Sequence, residues 1–314
     1  MRSIKTYITI LRKMGFRYSI YEIYRRIFWI GKNEQEIQLY EAKRCGERLY
    51  KRYKNLIEAP LEPAPQEASL PHRDIWIFWG QGMDDAPIIV KKCYASVLKY
   101  CKGYNIHLLD NENISEYVQL PEHILKLYNN GKGIMRAAHF SDILRTELLI
   151  QHGGIWIDAT ILLTAELPEY ITNQPMFLYR ETNINSPAYI FANYLIASEK
   201  SNPLLKRTLE LVYAFWKDHS TTPISMFDYM IYYNFITLLS QHNEQAKTII
   251  QKVPFVPNDL NVLILFKYLS FPYNEQLLQY LFSVSPTHKL TYKHKDPTPN
   301  EHTIWSYLIN EYEV

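Results

Sequence analysis

Apolar residues recur at Met135, Ala138, Phe140, Ile143, Leu144, Leu148 and Leu149, and this spacing predicts an amphipathic helix between Ile134 and His152. Gly153 and Gly154 follow it, as helix C-termini favour. The next run, Ile155 to Leu163 (IWIDATILL), is apolar and β-branched and reads as a central strand. Upstream, Asp74 to Trp79 and Tyr104 to Leu109 read as strands flanking a helix over Pro87 to Tyr100, a βαβ start that favours a parallel sheet. Downstream, strands are predicted at Met176 to Tyr179 and Tyr189 to Ile196, with helices at about Pro203 to Asp218 and Ile224 to Leu239. The fold class is therefore α/β, and no internal repeat is present.

The first sixty residues have a different character. Ile4, Ile8 and Leu11 form one helical stripe, Gly15 interrupts, and Ser19 with Glu22 makes a capping box ahead of Ile23, Ile27 and Phe28. A third helix is predicted from about Glu34 to Glu58, with Glu47 four residues before Lys51 on a mostly solvated face. Pro60, Pro63, Pro65 and Pro71 cannot continue a helix or a central strand. These breaks divide the chain into a basic helical arm over 1–59, a Pro-rich linker over 60–73 and a main domain over 74–314.

Charge sharpens that division. Fourteen Lys or Arg against six Asp or Glu give residues 1–60 a net charge of +8, while the remaining twenty basic and twenty-six acidic residues give −6. Arg25, Arg26, Phe28 and Trp29 suit an anionic membrane surface. A helical hairpin packed on the main domain, or on a second copy of the chain, is an equally open reading. No run approaches the ~18 apolar residues of a membrane span. Arg12, Lys13 and Arg17 interrupt any apolar core of a cleavable signal. No recognition motif supports nucleic-acid binding, so no such partner is expected.

With 314 residues and 47% apolar content the chain can bury one substantial core plus an appendage. Cys45, Cys93 and Cys101 are odd in number and lack CxxC spacing, which argues against a disulfide framework or a zinc site and for a reducing cytosol. The ten histidines form no HExxH pair, so His107, His123 and His139 read as ordinary polar residues. Gly80 to Gly82 (GQG) is no full GxGxxG fingerprint and no Walker motif is present, which argues against a dehydrogenase or P-loop enzyme. Asp110 ends a strand where ligands of open α/β sheets gather, although a turn aspartate before Asn111 and Asn113 is the simpler reading. Tyr229, Tyr232 and Tyr233 cluster around Asp228; they could stack on a sugar, but such clusters are more often packing.

The sharpest chemistry lies between Ala138 and Thr160. Asp142 and Arg145 are three residues apart and therefore neighbours on one helix surface. As a surface ion pair they would be worth roughly 0–1 kcal/mol. Asp158 interrupts an apolar strand, where a carboxylate either caps a turn or faces a cleft. Its place just after the Asp142/Arg145 helix favours the cleft, and an arginine fork beside carboxylates suits a phosphate-linked sugar.

The blocks SDILR and GGIWIDAT, read together, resemble the nucleotide-sugar site of glycosyltransferases with a DXD-type motif, above all the capsular polysaccharide synthesis proteins. The catalytic domains of the large bacterial glucosylating toxins look like more distant relatives. The resemblance runs from about Asp74 to Lys293, from IWIFWGQG through APIIVKKCYAS to HKLTYK. It implies a GT-A-like, Rossmann-related mixed sheet flanked by helices. It further implies that Asp142 and Arg145 contact the donor nucleotide, that Trp79 packs near the base, and that Gly154, Asp158 and Thr160 belong to the donor site, with Asp158 and Arg145 catalytic.

Asp158 would be the first aspartate of the motif, but its third position is Thr160. A hydroxyl is a poor ligand for a hard cation, which puts a manganese or magnesium cofactor in doubt. Asp158 remains the metal candidate, with His288, just before KLTYK, as a lesser one. What the resemblance implies is a hexosyltransferase-type enzyme that moves sugar from a nucleotide diphosphate to a capsular, cell-surface or lipid-linked glycan with retention, in the cytoplasm or peripherally on the inner membrane face. The alternatives are a non-catalytic sugar-nucleotide or glycan-binding subunit of an assembly complex and a toxin-like protein glycosyltransferase.

Overall fold

The computed structural model describes residues 34–63, 70–182, 189–220, 230–298 and 300–314. The expectations for residues 1–33, for Pro65 and for Asp228 and Tyr229 lie outside them. Chain order begins with helix α1 (Glu34–Glu58), strand β1 (Asp74–Phe78), helix α2 (Ile88–Tyr100), strand β2 (Asn105–Leu109), helix α3 (Ala137–His152) and strands β3 (Gly154–Ile157) and β4 (Ile161–Leu163). Strands β5 (Met176–Arg180) and β6 (Phe191–Ser198) come next, then helices α4 (Pro203–Asp218), α5 (Ile231–His242), α6 (Glu244–Lys252) and α7 (Glu275–Val284), strand β7 (Thr287–Lys289) and helix α8 (Ile304–Asn310).

Five strands form one sheet in the order β2-β1-β3-β6-β5. The pairs β1–β2 and β1–β3 are parallel, and β6 runs antiparallel to both β3 and β5. This is the mixed sheet, flanked by helices, that the resemblance implies. Alternation along the strands feeds two cores. Trp76, Phe78, Trp156, Leu178 and Ile196 pack against α3, α4 and α5, whereas Ile75, Ile77, Ile155, Ile157 and Phe177 pack toward α2, α7 and α8.

Two glycines make the α3–β3 junction. Gly153 caps α3, its N–H bonding Leu149 O at 2.9 Å with φ +74°. Gly154 has φ +102°, and a Cβ there would lie 2.6 Å from Asp74 O, so this position needs a bare backbone to let β3 pair with β1. Trp76 Nε1 closes the joint by donating to Gly153 O at 2.9 Å.

The apolar run from Ile155 to Leu163 is not one strand. It breaks after Ile157, where Asp158 N bonds Tyr194 O and Ile161 N turns back onto Asp158 O, both at 2.8 Å. Its second half, β4, leaves the main sheet to pair antiparallel with β7.

Helix α1 packs into the helical layer through Ala42, Leu49, Tyr53 and Ile57, which are buried, while Glu47 and Lys51 stand on its exposed face. Carbonyls at and just beyond its C-terminus are taken by side chains of α4 and of the residue that caps α6. Arg207 donates to Leu56 O, Ala59 O and Pro60 O at 2.5, 2.9 and 2.9 Å, and Asn243 Nδ2 to Ile57 O and Ala59 O at 3.0 and 2.9 Å. Among the described residues no helix is long and apolar enough to cross a membrane.

Candidate functional site

The strands β1, β2 and β3 run parallel, so Trp79, Asp110 and Asp158 all emerge at one edge of the sheet. Tyr194 and Asn193, near the start of antiparallel β6, reach the same edge.

Arg145 is the centre of the charge cluster there, and only 4% of its side chain is exposed. The SDILR pattern itself carries the reason, since Arg145 shares a helix face with Leu148 and Leu149. Its Nη2 lies 3.4 Å from Asp142 Oδ1 and 3.3 Å from Asp158 Oδ1. Nε and Nη2 donate to Ser141 O and Ser141 Oγ at 3.1 and 3.0 Å, and Nη1 to Asn193 O. The guanidinium carbon sits 5.1 Å from the centre of the Trp156 ring. So occupied, Arg145 orients two carboxylates and is not a fork presented to solvent.

The two carboxylates then differ in state. Burial pushes the Asp142 carboxyl up to about 6; Arg145 opposes that and the charge of Asp158 adds to it. Asn193 Nδ2 donates to Asp142 Oδ1 at 2.7 Å, and Asn193 Oδ1 accepts from the Tyr233 hydroxyl. Burial also pushes Asp158 up, but Lys289 and Arg145 outweigh it and hold the carboxyl below its ordinary range. Asp158 accepts from Trp156 Nε1 at 2.8 Å and from Lys289 Nζ at 2.7 Å. Its side chain is 20% exposed, so the ionised group is fixed yet reachable.

Lys289 also donates to Thr160 Oγ1 at 2.7 Å and lies 5.5 Å from the centre of the Tyr194 ring. It comes from β7, which positions it through the Ile161↔Lys289 pairing. His288, one residue earlier, turns to the other side of that strand. It is fully buried, with Nε2 3.3 Å from Thr164 Oγ1, and burial pulls its pKa down to about 4. The structure thus separates His288 from Asp158. Among the described residues no group of three or more His, Cys, Asp or Glu side chains is placed to hold a metal.

The remaining candidates fall into place individually. Trp79 lies edge-to-face with Tyr292, 5.2 Å between ring centres, and its buried Nε1 has no partner among the described residues. The buried Tyr194 hydroxyl likewise has none. Asp110 is a turn aspartate, its Oδ1 accepting from Glu112 N and Asn113 N at 2.8 and 3.1 Å. Gly154 stands at the opposite end of β3 from Asp158, where its role is the backbone approach to β1. Tyr232 is core, its hydroxyl accepting from Thr146 Oγ1 at 3.0 Å.

Sequence reasoning did not single out Lys289, Asn193 or Trp156. A signal existed for one of them, because Asn193 is the one amide within the apolar strand FANYLIAS.

A family model described as capsular polysaccharide synthesis protein matches residues 25–308. A curated relative, O-glycosyltransferase braB of Annulohypoxylon truncatum, is 28% identical over 162 residues, which is 46% of this chain and 38% of that protein. The chain therefore spans well under half the length of that relative. Among solved structures, one titled PaToxG Glycosyltransferase has a TM-score of 0.39 at 15% identity, covering 80% of this chain and 99% of its own. The apo form of the glycosyltransferase GlyE in Streptococcus pneumoniae TIGR4 has a TM-score of 0.40 at 9% identity, covering 76% and 60%. Both TM-scores lie below the value at which a shared fold is read, and the architecture stands on the sheet described above.

Proposed function

The chain belongs to the capsular polysaccharide synthesis protein family, and from that premise we propose that it is a glycosyltransferase, one that moves a hexose or related sugar from a nucleotide diphosphate onto a cell-surface or lipid-linked glycan. The observation that carries this reading is Asp158: an ionised carboxylate, held by Lys289 and Trp156, partly open at the C-terminal edge of the parallel strands. Glycosyl transfer breaks the bond between the anomeric carbon and the diphosphate oxygen. The electron pair leaves with the diphosphate, the acceptor oxygen bonds the carbon, and its proton passes to the diphosphate or solvent. Positive charge therefore builds on the sugar, opposite a carboxylate that is already oriented.

Arg145 and Asp142 support that carboxylate from behind rather than touching phosphate. Trp79 and Tyr292 form an aromatic wall at the end of β1, and the unpartnered Trp79 Nε1 and Tyr194 hydroxyl are polar atoms that a bound donor would satisfy. Retention of anomeric configuration rests on the resemblance of the SDILR and GGIWIDAT blocks. Attachment to an anionic membrane face through the basic arm rests on its charge and aromatic content.

Release of free nucleotide from UDP-, GDP-, TDP- and CMP-type sugars, compared between wild type and Asp158→Ala, tests the proposal. Turnover of one donor that disappears in a folded variant supports it. Absence both of turnover and of thermal stabilisation by any donor would overturn it, since a ligand at 100 times its Kd adds about 2.7 kcal/mol.

A further inference from the structure

Lys289 occupies an unusual position for a cation that is not a metal. Its Nζ bridges Asp158 Oδ2 and Thr160 Oγ1, both at 2.7 Å. These are the first and third residues of the DAT segment, the two places from which a DXD-type motif addresses a divalent ion. The donor set does not fit such an ion. Magnesium is commonly held by one or two carboxylates with water and substrate phosphate completing its shell, but here the one carboxylate and the one hydroxyl each already accept from an ammonium. Seating a dication would place two further positive charges against Lys289 or expel it.

The lysine is not incidental to the fold around it. Lys289 N bonds Val262 O and Leu290 N bonds Thr160 O, each at 2.8 Å, so the backbone on both sides of its Cα is fixed against the 158–160 turn. The side chain is 23% exposed and flanked by the face of Tyr194. An ammonium has three donors. Two are spent on Asp158 and Thr160, and none of the described residues takes the third.

We infer that Lys289 supplies in this chain the positive charge that a divalent cation would supply to the diphosphate of the donor, its third N–H meeting a phosphate oxygen. This rests on the donor site proposed above. When the bond to the anomeric carbon breaks, the diphosphate gains one negative charge, and Lys289 stabilises it without giving up its proton. Thr160 in the motif is then no defect, since its hydroxyl accepts from the ammonium without adding a second charge beside Asp158. The lysine is monovalent and covalently part of the chain, so donor binding needs no free cation.

The experiment is calorimetric titration of UDP, GDP, ADP and TDP into wild type, Lys289→Met and Lys289→Arg, each with manganese and with a chelator, beside thermal unfolding of every sample. One diphosphate should bind wild type with an affinity that manganese and chelator leave within about threefold. Lys289→Met should weaken it about 10- to 100-fold, the range for losing a charged hydrogen bond, and Lys289→Arg should recover part of that loss. Unchanged affinity in Lys289→Met, or manganese strengthening the wild type tenfold or more, would overturn the inference while leaving the donor site standing. If Lys289→Met does not fold, the manganese arm and the Arg variant still decide it. Failure of all four nucleotides to bind the wild type would overturn the inference, and the proposed function then stands or falls on the sugar-donor turnover and stabilisation described above.

Discussion

Arg145 and Asp158 meet at 3.3 Å from opposite sides of the Gly153–Gly154 junction, and the guanidinium is the more deeply buried of the two. A cation placed so deep, with hydrogen bonds to Ser141 and Asn193, is part of the frame. Removing it takes the buried cation from Asp142 and leaves Asp158 with Lys289. Arg145→Met should therefore cost about 3–5 kcal/mol in urea unfolding. A variant with wild-type stability and a loss confined to donor affinity would show instead that Arg145 reaches the phosphates.

Asp142 gives a pH signature. Its carboxyl is pushed up to about 6 from 3.8, first by burial. The native state then binds the proton more tightly than the unfolded chain. This contribution to stability is full below about pH 3.8 and is lost as pH rises through about 6. Asp142→Asn removes that decline. Unfolding measured at about pH 4 and about pH 7 should show the stability difference moving in favour of the variant at the higher pH; a constant difference would mean that Asp142 titrates normally.

At Gly154 the expectation concerns packing rather than ligand. A Cβ there meets Asp74 O at 2.6 Å on a backbone with φ +102°, so Gly154→Ala should lower stability by about 1–3 kcal/mol. Nucleotide affinity of the folded fraction should be unchanged. Thermal unfolding alongside titration separates the two effects, and weakened binding at unchanged stability would return Gly154 to the donor site.

Arg207 ties α1 to the main domain through three carbonyls. Arg207→Met leaves Leu56 O and Pro60 O without this donor and Ala59 O with Asn243 alone, at a cost of about 1–3 kcal/mol. Limited proteolysis should then cut between residues 50 and 63 sooner than in wild type. Equal cleavage rates would show that the apolar stripe of α1 holds it without help.

The α3 helix and the first two strands were legible because each carries a dense, regular apolar pattern that ends on Gly, Asp or a turn. The break at Asp158 was not, because what bends the chain is a backbone bond to Tyr194 and a pairing with β7, both distant in sequence. A run as apolar as IWIDATILL looks the same whether it stays in one sheet or divides between two. Lys289 was hidden for the same reason: a three-residue strand has no period to read. The depth of Arg145 could have been read, since Leu148 and Leu149 lie on its own helix face. Helices α6, α7 and α8 went unread.

The indole of Trp156 touches both sides of the charge cluster, its ring against the Arg145 guanidinium and its Nε1 on Asp158. It also belongs to the core that α3, α4 and α5 share. The ring thus braces both members of a pair that meets directly, backing the guanidinium with its face and holding the carboxylate with its edge. A substitution that swells or empties that helical layer would reach Asp158 as a change of angle, so the aim of the carboxylate is inherited from the fit of a core that no substrate ever contacts.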